Sequence, residues 1–592
     1  MHFRANSAVI ATIAVLVLII VNTGVGRTQV ASPPAGAPVS PATQTFVLSA
    51  PVVRNVTAAP SSNTGPRSFE PDVFVNVKSL EDQKLLAGQN KLGRSKSGTL
   101  LFASPSPRPP APRAPAAPQP QAEEKLKLVT NTTTLNTDTG AKTKPQPAIQ
   151  TMGHQRNVAV DMTFAGDSEN LVPPDAQLAV GLTQVLEMDN GNVTVWNKTS
   201  ALPHRAVATF PLQAGLGAIG GLMPAPALHS VGDPWVIYDI ASHRWIATAM
   251  VFQKGVDSSI QLAISPPDNP LGGWTIRTLV PSTGALHDQP KIALTDDKLI
   301  IAWTDFDSEG TYLGGSWAAF SKAAVLNSSD ELIGQGVTKP DLCEPNPIPA
   351  KNQSAGTTGY ILSTVYPDAD PQCFGAAIPL PTEHTGNDIK VTVVDGLPPA
   401  LKFQSVDLKT AEYSAPPDVF QLDSETPLSG GDTRLLSAVW QNGKLWAAAN
   451  GSCKVSGADS ARGCFRLFEI ATYGTVRMLQ DINVAIKDRD ILYPSLSVDG
   501  SGNVFAAVAQ VSASRYLGAA VFARVAFHSD WQLLTYAQGS GKLECGDSPT
   551  RIGDYSGADH DPVAQNSIWL AVEVPSGPGC HQGSSISKVS IH

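Results

Sequence analysis

The sequence predicts an all-β fold, a β-propeller of seven blades with six as the alternative, preceded by a disordered tail rich in proline. Three observations support this prediction. A strand–turn–strand pattern, clearest in YPSLSVDGSGNVFAAVAQ from Tyr493, recurs through about the last 440 residues. Most neighbouring copies lie about 60 residues apart, and they show little helical periodicity. Such a repeat of short strands is typical of propeller blades with long loops.

Seven copies of the pattern can be placed along the chain, and the fourth is the weakest. They begin near Asp175, Asp233, Gln289, Gly359, Arg434, Tyr493 and Gly553. A ring opened at one place would expose two sheet edges, so the termini must supply closure. We expect residues 157–164 (NVAVDMTF) to add a strand to the blade that ends with residues 585–592 (SISKVSIH).

Composition divides the chain into three regions. Residues 1–32 are predicted to be a signal peptide or N-terminal anchor, because the apolar run 8–21 is short for a bilayer span of roughly 20 residues. Residues 33–150 are predicted to be a disordered linker rich in Pro, Ala, Ser and Thr. Residues 151–592 form the predicted propeller domain. The protein is therefore expected to be secreted or held at the cell surface.

Charge separates the tail from the propeller. Residues 1–150 carry 15 Lys and Arg against 7 Asp and Glu, about +8, whereas the remainder carries 27 against 44, about −17. An acidic body is repelled by phosphate backbones, so nucleic acid is excluded as a partner. A glycan, a protein or a surface polymer is the expected partner, and membrane contact is expected only through an uncleaved anchor. A monomer is expected.

Six cysteines fit an exported protein. They fall into three pairs that are close in sequence: Cys343 with Cys373, Cys453 with Cys464, and Cys545 with Cys580. Zinc sites need tighter clusters, so three local disulfides are the predicted pairing. No glycine-rich phosphate loop follows a strand, so a nucleotide cofactor is not expected.

Several motifs resemble a family of secreted bacterial β-propellers that are distantly similar to sialidases. The motifs are PPDAQLAVG, GDPWVIYDIASHRW, HDQPKIAL, YPSLSVDGSGN and RIGDYSGADHDP. A sialidase-like site would need three arginines and a Tyr–Glu pair. The resemblance implies Arg434 and Arg551 as carboxylate clamps, with Tyr555 and Glu573 as further catalytic candidates. Arg244 or Arg515 would be the third arginine, and Tyr493 is an alternative to Tyr555.

Tryptophans and aspartates supply the other candidate sites. Trp235, Trp274 and Trp317 flank predicted turns and could stack on a sugar ring. Five aspartates precede or begin the predicted innermost strands, which places them on one rim of the channel: Asp175, Asp233, Asp288, Asp432 and Asp554. They could cap local turns, or they could hold a shared Ca²⁺ ion.

Three functions remain open at this point. The first is an exported, non-catalytic binding protein that recognises a glycan, a protein or a surface polymer through its loops. The second is a sialidase-like glycoside hydrolase that acts at the channel mouth. The third is a structural component of a cell wall or matrix.

Overall fold

A computed structural model of the chain describes residues 43–56, 75–76, 128–132, 158–168, 172–198, 206–214, 221–253, 255–281, 286–310, 312–338, 346–365, 386–455, 460–526, 528 and 531–592. All of them belong to one compact unit, Ala42–His592. The predicted signal peptide or anchor, most of the predicted linker, Cys343 and Cys373 lie outside the described residues. In the described part of the chain, no helix is long and apolar enough to cross a membrane.

Five strands come from the region up to Ala165 and pair with the outermost strands of sheets formed by later residues. They are β1 (Gln44–Leu48), β2 (Val52–Asn55), β3 (Val75–Asn76), β4 (Leu128–Thr132) and β5 (Val158–Ala165).

The remaining strands form seven successive antiparallel groups, which we call units I to VII. Unit I contains β6 (Gln177–Val180), β7 (Gln184–Met188), β8 (Asn192–Asn197) and β9 (Ala206–Pro211), and is followed by the short parallel pair β10 (Gln213–Ala214) and β11 (Met223–Pro224). Unit II contains β12 (Ser230–Asp239), β13 (Arg244–Gln253), β14 (Asp257–Ile264) and β15 (Gly273–Leu279). Unit III contains β16 (Leu286–Leu294), β17 (Lys298–Phe306), β18 (Tyr312–Ser321), helix α1 (Lys322–Asn327) and β19 (Leu332–Thr338).

Unit IV has a divided inner strand, because β20 (Ile348–Pro349) pairs within the unit and β21 (Lys351–Asn352) pairs with the next unit. Its other strands are β22 (Gly359–Val365), β23 (Gly386–Asp395) and β24 (Lys402–Tyr413). Unit V contains β25 (Leu435–Gln441), β26 (Lys444–Cys453), β27 (Arg462–Ala471) and β28 (Arg477–Ile486). Unit VI contains β29 (Asp490–Val498), β30 (Val504–Ser512), β31 (Arg515–Arg524) and β32 (Trp531–Gln538). Unit VII contains β33 (Gly557–His560), β34 (Ser567–Glu573) and β35 (Ser584–Ile591).

The first strands of the units follow one another around a closed ring. Each lies beside the first strand of the next unit, and β33 of unit VII lies beside β6 of unit I. Whole strands such as β30, with the sequence VFAAVAQVS, are buried on both faces because each unit lies between two others. The predicted all-β propeller fold is therefore confirmed.

The two ends of the propeller region close the ring in the predicted way. Strand β5 pairs antiparallel with β35 along its length, from Ser585↔Ala165 to Ile591↔Val158. The strand nearest the N-terminus of the propeller region is thus the outermost strand of unit VII. A buried ion pair between Lys198 of unit I and Asp561 of unit VII, with 2.7 Å between Nζ and Oδ1, also joins these units.

Two of the three predicted disulfides are confirmed, Cys453–Cys464 and Cys545–Cys580. The prediction of a disordered linker over residues 33–150 is wrong for β1 and β2. Phe46 and Leu48 of β1 are buried, and this strand pairs with both β15 and β19. An apolar alternation of only five residues was too short to stand out in a Pro- and Thr-rich context.

Candidate functional site

A bend with the same unusual backbone conformation opens the first strand in most units. Asp175, Asp233, Gln289, Asn346 and Tyr493 have φ angles of 54°, 51°, 49°, 49° and 53°. Residues other than glycine rarely adopt positive φ, and four of these five precede a proline, which normally favours extended backbone. Strand pairing is interrupted at these positions in units II, III and VI, as it is at a β-bulge. The bends lie at the same end of the ring.

Side chains from the preceding unit accept the backbone N–H at four of these bends, and at Gln289 the acceptor is Oδ2 of Asp233 at 3.3 Å. Oδ1 of Asn190 accepts the backbone N–H of Asp233 at 2.7 Å, and Oδ1 of Asn450 accepts that of Tyr493 at 2.6 Å. Oε1 of Glu573 accepts the backbone N–H of Asp175 at 2.9 Å. Each contact satisfies a buried donor and joins two units. The bends are therefore fixed by links between units.

Units V and VII depart from this pattern, and both contribute an arginine. In unit V the positive φ falls on Gly431, and the next residues include Asp432 and Arg434. Nε of Arg434 lies 2.7 Å from Oδ2 of Asp432. In unit VII, Nη2 of Arg551 lies 2.6 Å from Oδ2 of Asp554.

The two arginines line one small cleft at this end of the ring. Its walls are Ser429, Gly431, Asp432, Arg434, Leu436, Asn450, Tyr493, Arg551, Gly553 and Asp554. The cavity volume is about 10 Å³, room for roughly one water molecule. Gly431 is required here, because a Cβ atom would lie 2.8 Å from Nδ2 of Asn450 and 3.1 Å from Oη of Tyr493. In this conformation the cleft admits only the end group of a ligand.

Three of the five predicted rim aspartates converge beside the cleft. Carboxylate oxygens of Asp175, Asp233 and Asp554 lie within 4.8 Å of one another. Asp288 shares a hydrogen bond with Asp233, whereas Asp432 pairs with Arg434 instead. The three clustered residues come from units I, II and VII, so only ring closure brings them together.

Burial and mutual repulsion change the protonation of this cluster. Burial, followed by the charge of Asp554, raises the pKa of Asp175 to about 7. Burial, followed by the charge of Asp288, raises the pKa of Asp233 well above its ordinary value. Burial alone would raise the pKa of Asp554, but Arg551 and Arg434 lower it below its usual value. At neutral pH the cluster therefore carries less negative charge than its carboxyl groups could supply.

Lys291 belongs to the same region and was missed by the sequence analysis. Its Nζ donates to Oδ1 of Asn346 at 2.8 Å and to Oε1 of Gln289 at 3.1 Å, and it lies 5.9 Å from the ring centres of Trp235 and Tyr555. Burial, helped by nearby Arg434, lowers the pKa of Lys291 to about 7. The available signal was a lysine two residues after Gln289, directly before the apolar end (IAL) of an inner strand.

The residues predicted as a Tyr–Glu catalytic pair make hydrogen bonds to the backbone. Tyr555 is 2% exposed, and its hydroxyl donates to the carbonyl of Pro234 at 3.1 Å. Glu573 is buried and caps the backbone of Asp175 and Ala176. The hydroxyl of Tyr493 donates to the carbonyl of Ser429 at 3.2 Å. These contacts give Tyr555 and Glu573 structural roles at the junctions between units, and their catalytic roles stay a prediction.

The three tryptophans predicted to stack on a sugar are buried, so that prediction is wrong. Trp235 and Trp317 are 3% exposed and Trp274 is fully buried. The ring of Trp235 packs against Tyr555, with 5.3 Å between centres, and that of Trp317 against Phe403 at 5.2 Å. All three lie within strands, where burial between units determines their surroundings.

Comparison with known proteins gives only distant likenesses. A protein of unknown function from Dyadobacter fermentans DSM 18053 is 13% identical, with a TM-score of 0.33, over 63% of this chain and 97% of that one. A subtype N10 neuraminidase-like protein of A/little yellow-shouldered bat/Guatemala/060/2010 is 9% identical, with a TM-score of 0.29, over 64% and 100%. The endo-arabinase from Bacteroides thetaiotaomicron VPI-5482 is 10% identical, with a TM-score of 0.27, over 51% and 93%.

No protein-family model and no curated protein matches the sequence. Membership of a family of secreted bacterial propellers therefore stays a prediction. The fold assignment rests on the strand pairing described above.

Proposed function

We propose that this chain is an exported, non-catalytic binding protein whose rim cleft recognises a carboxylate group of its ligand. The observation that carries the proposal is the convergence of Arg434 and Arg551, from two different units, on one cleft. Arginine is well suited to this task because its planar guanidinium group can donate two parallel hydrogen bonds to a carboxylate.

The fold itself does not explain the two arginines. Five units build the same bend with Asp, Gln, Asn or Tyr, so no arginine is needed there. Among the described residues, the side chain of each of these arginines makes one ion pair, although a guanidinium group has five N–H donors. Donors therefore remain for a ligand at the cleft.

The acidic residues around the cleft repel a bound carboxylate less than their number suggests. Burial raises the pKa of Asp175 to about 7 and that of Glu573 well above its ordinary value. The fraction of these carboxyl groups that is protonated at neutral pH does not repel a carboxylate. Asp432 and Asp554 would then share their arginines with the ligand.

A glycan that carries carboxylate groups is the ligand class that we favour. Residues 417–430, in the connection between β24 of unit IV and β25 of unit V, form a hairpin beside the cleft, in which Leu428 pairs with both Val419 and Thr550. Phe420, next to Val419, is 49% exposed. Two strand spacings, about 10 Å, separate this part of the hairpin from Thr550, the neighbour of Arg551. An exposed ring at that distance could contact the apolar face of a sugar whose carboxylate meets the arginines.

The test is binding of polyuronates and of matched neutral polysaccharides to the full chain. Arg551→Ala and Arg434→Ala should each weaken polyuronate binding by about 10- to 100-fold. Arg477→Ala, at an exposed arginine of β28, is the matched control and should bind normally. Equal binding of neutral and acidic polymers, or normal binding by both cleft variants, would contradict the proposal.

The same panel, with chromogenic glycosides added, tests the hydrolase alternative. Turnover that Arg551→Ala abolishes would replace the binding proposal with a sialidase-like one. Absence of any binding, together with recovery of the protein in an insoluble wall fraction, would favour a structural role.

We also propose that Asp175, Asp233 and Asp554 hold a hard cation such as Ca²⁺. The convergence of their oxygens supports this proposal, and an all-oxygen set of carboxylates suits Ca²⁺. A bound ion would favour the ionised forms of Asp175 and Asp233 over the protonated ones. At about 100 times its dissociation constant, the ion would add about 2.7 kcal/mol of stability.

Melting in calcium and in chelator tests the cation directly. Chelation should lower the melting temperature of the wild type by several degrees. The double variant Asp233→Asn with Asp554→Asn should not respond to the chelator. If the wild type melts at the same temperature in calcium and in chelator, the three aspartates bind no ion and serve only as hydrogen-bond acceptors for the backbone.

We infer that each of the seven units is one blade, which makes seven the blade number. The two disulfides support a location outside the cytoplasm, where such bonds persist.

A further inference from the structure

Residues 43–56, which we call the arm, lie along a groove on the outer wall of the ring between units II and III. Strand β1 pairs with β19 over five residues, from Gln44↔Gly336 to Leu48↔Leu332, and Leu48 also pairs with Leu279 of β15. Strand β2 pairs with β15 over four residues. The arm thereby joins the outer strands of two units into one sheet.

The groove has specific features that receive the arm. Leu48 is fully buried, and the ring of Phe46 meets the edge of Trp303, with 5.6 Å between centres. The guanidinium group of Arg277 is buried, and its Nη1 donates at 2.9 Å to the carbonyls of Ser49 in the arm and Asp330 in unit III. One buried cation therefore links the arm to both units.

An exposed apolar patch surrounds the seated arm. Val47, Val52 and Val53 of the arm are 43%, 66% and 70% exposed, and Ile333, the register partner of Val47, is 55% exposed. Val47 and Ile333 are exposed side by side, and exposed aliphatic side chains that lie together are a feature of surfaces that bind another molecule.

We propose that the groove is also a docking site between molecules, and that its second occupant is the arm of another copy of this chain. The arm is separated from β5 by residues 57–157 and from β3 by residues 57–74. Eighteen residues can extend over roughly 60 Å, which is enough to reach a neighbouring molecule. Long connections lower the effective concentration of the tethered arm to the millimolar range or below.

Exchange of arms between two molecules requires no new contacts, because the arm of one molecule makes the same contacts with the groove of the other as it makes with its own groove. The ratio of arm-exchanged assemblies to monomers with their own arm in the groove therefore depends on protein concentration. The expected monomer would hold in dilute solution, and arm-exchanged assemblies would form where exported copies are crowded.

Disulfide trapping in the full chain tests the proposal. One differently tagged chain carries Val47→Cys and the other carries Ile333→Cys, two exposed positions in direct register. Paired residues of antiparallel strands are about 4.5–5.5 Å apart between Cα atoms, a separation that a disulfide can bridge. A covalent heterodimer that increases with protein concentration, and that free peptide 43–56 suppresses, is expected.

Two matched chains complete the experiment. Val47→Cys mixed with Leu271→Cys, an exposed position that does not pair with the arm, should give no heterodimer. The double variant Val47→Cys with Ile333→Cys should close within one molecule, which establishes that the variants fold and seat the arm. If the double variant closes while the mixed single variants never cross-link, the arm binds only its own ring and the proposal is overturned.

Discussion

Oδ1 of Asp175 accepts the backbone N–H of Asp554 at 2.6 Å, a contact that joins unit I to unit VII where the ring closes. Oδ2 of Asp175 also accepts a hydrogen bond from Nδ2 of Asn190 at 2.9 Å. A residue at the centre of the acidic cluster is therefore a structural link as well as a candidate ligand of a cation.

Replacement of Asp175 should separate these two roles. Asp175→Ala leaves the backbone N–H of Asp554 and the amide of Asn190 without this acceptor, and each buried unsatisfied group costs about 1–3 kcal/mol. Asp175→Asn keeps the shape and one oxygen acceptor, so its loss in the free energy of unfolding should be clearly smaller. Denaturation by urea measures both. Equal losses in the two variants would show that the acceptor does not matter.

In the presence of a chelator, so that no cation occupies the acidic cluster, the contribution of Asp175 to the free energy of unfolding should fall as pH rises from about 4 to about 7. Burial, followed by Asp554, raises the folded-state pKa of Asp175 to about 7, whereas in the unfolded chain it titrates near its ordinary value. Between these two values the folded state retains a proton that the unfolded state has lost, so raising the pH favours unfolding. Above about 7 both states are ionised and this contribution is constant.

The Asn variant supplies the control for this pH dependence. Asp175→Asn cannot titrate, so its unfolding free energy should fall less steeply than that of the wild type over the same window. Glu187, whose pKa burial also raises to about 7, contributes the same trend in both proteins. Parallel curves for wild type and variant would contradict the assignment to Asp175.

Deletion of residues 585–592 should severely destabilise the ring. These residues supply nearly all of β35, which pairs with β34 on one side and β5 on the other, and Ile586 and Val589 are fully buried. Loss of several buried aliphatic side chains and two ladders should lower the melting temperature by about 10 °C or more. Calorimetry measures the shift, and His592→Ala is the control. Normal melting of the truncated chain would refute this closure.

The sequence repeat predicted the first strands of the units, and the need to cover sheet edges predicted the closing pair of strands. The spacing of the cysteines predicted the two disulfides that the structure contains. Arg434 and Arg551, which the sialidase-like resemblance named as candidates, line the same cleft. The position of Asp175, Asp233 and Asp554 at the starts of inner strands predicted that their carboxylates would lie close together. The same argument wrongly placed Asp432 in this group. Asp432 instead forms an ion pair with Arg434, which lies only two residues away in the sequence.

Other features depend on contacts distant in sequence. Trp235 seemed to flank a turn, but the bend at Asp233 turns it into the ring, against Tyr555 of unit VII. Leu48 of β1 is buried against strands more than 200 residues away. Neither contact leaves a periodic signal near the residue itself.

Two glycines with similar backbone but different surroundings allow the cleft to be tested independently of backbone strain. Gly431 has φ of 77°, and its Cβ position lies 2.8 Å from Nδ2 of Asn450. Gly474, in the turn after β27, has φ of 72° with nothing within 4 Å of its Cβ position. Alanine at either position adds backbone strain of about 1–2 kcal/mol.

Only Gly431→Ala should also displace Asn450 or Tyr493 and so disturb the cleft. We expect it to lose more stability than Gly474→Ala and to weaken polyuronate binding at least about tenfold, which corresponds to about 1.4 kcal/mol. Gly474→Ala should bind as the wild type does, since its turn is far along unit V from the cleft. Urea unfolding and binding isotherms of both variants provide the comparison. Equal effects would mean that strain alone governs Gly431 and that the walls of the cleft adapt without loss of recognition.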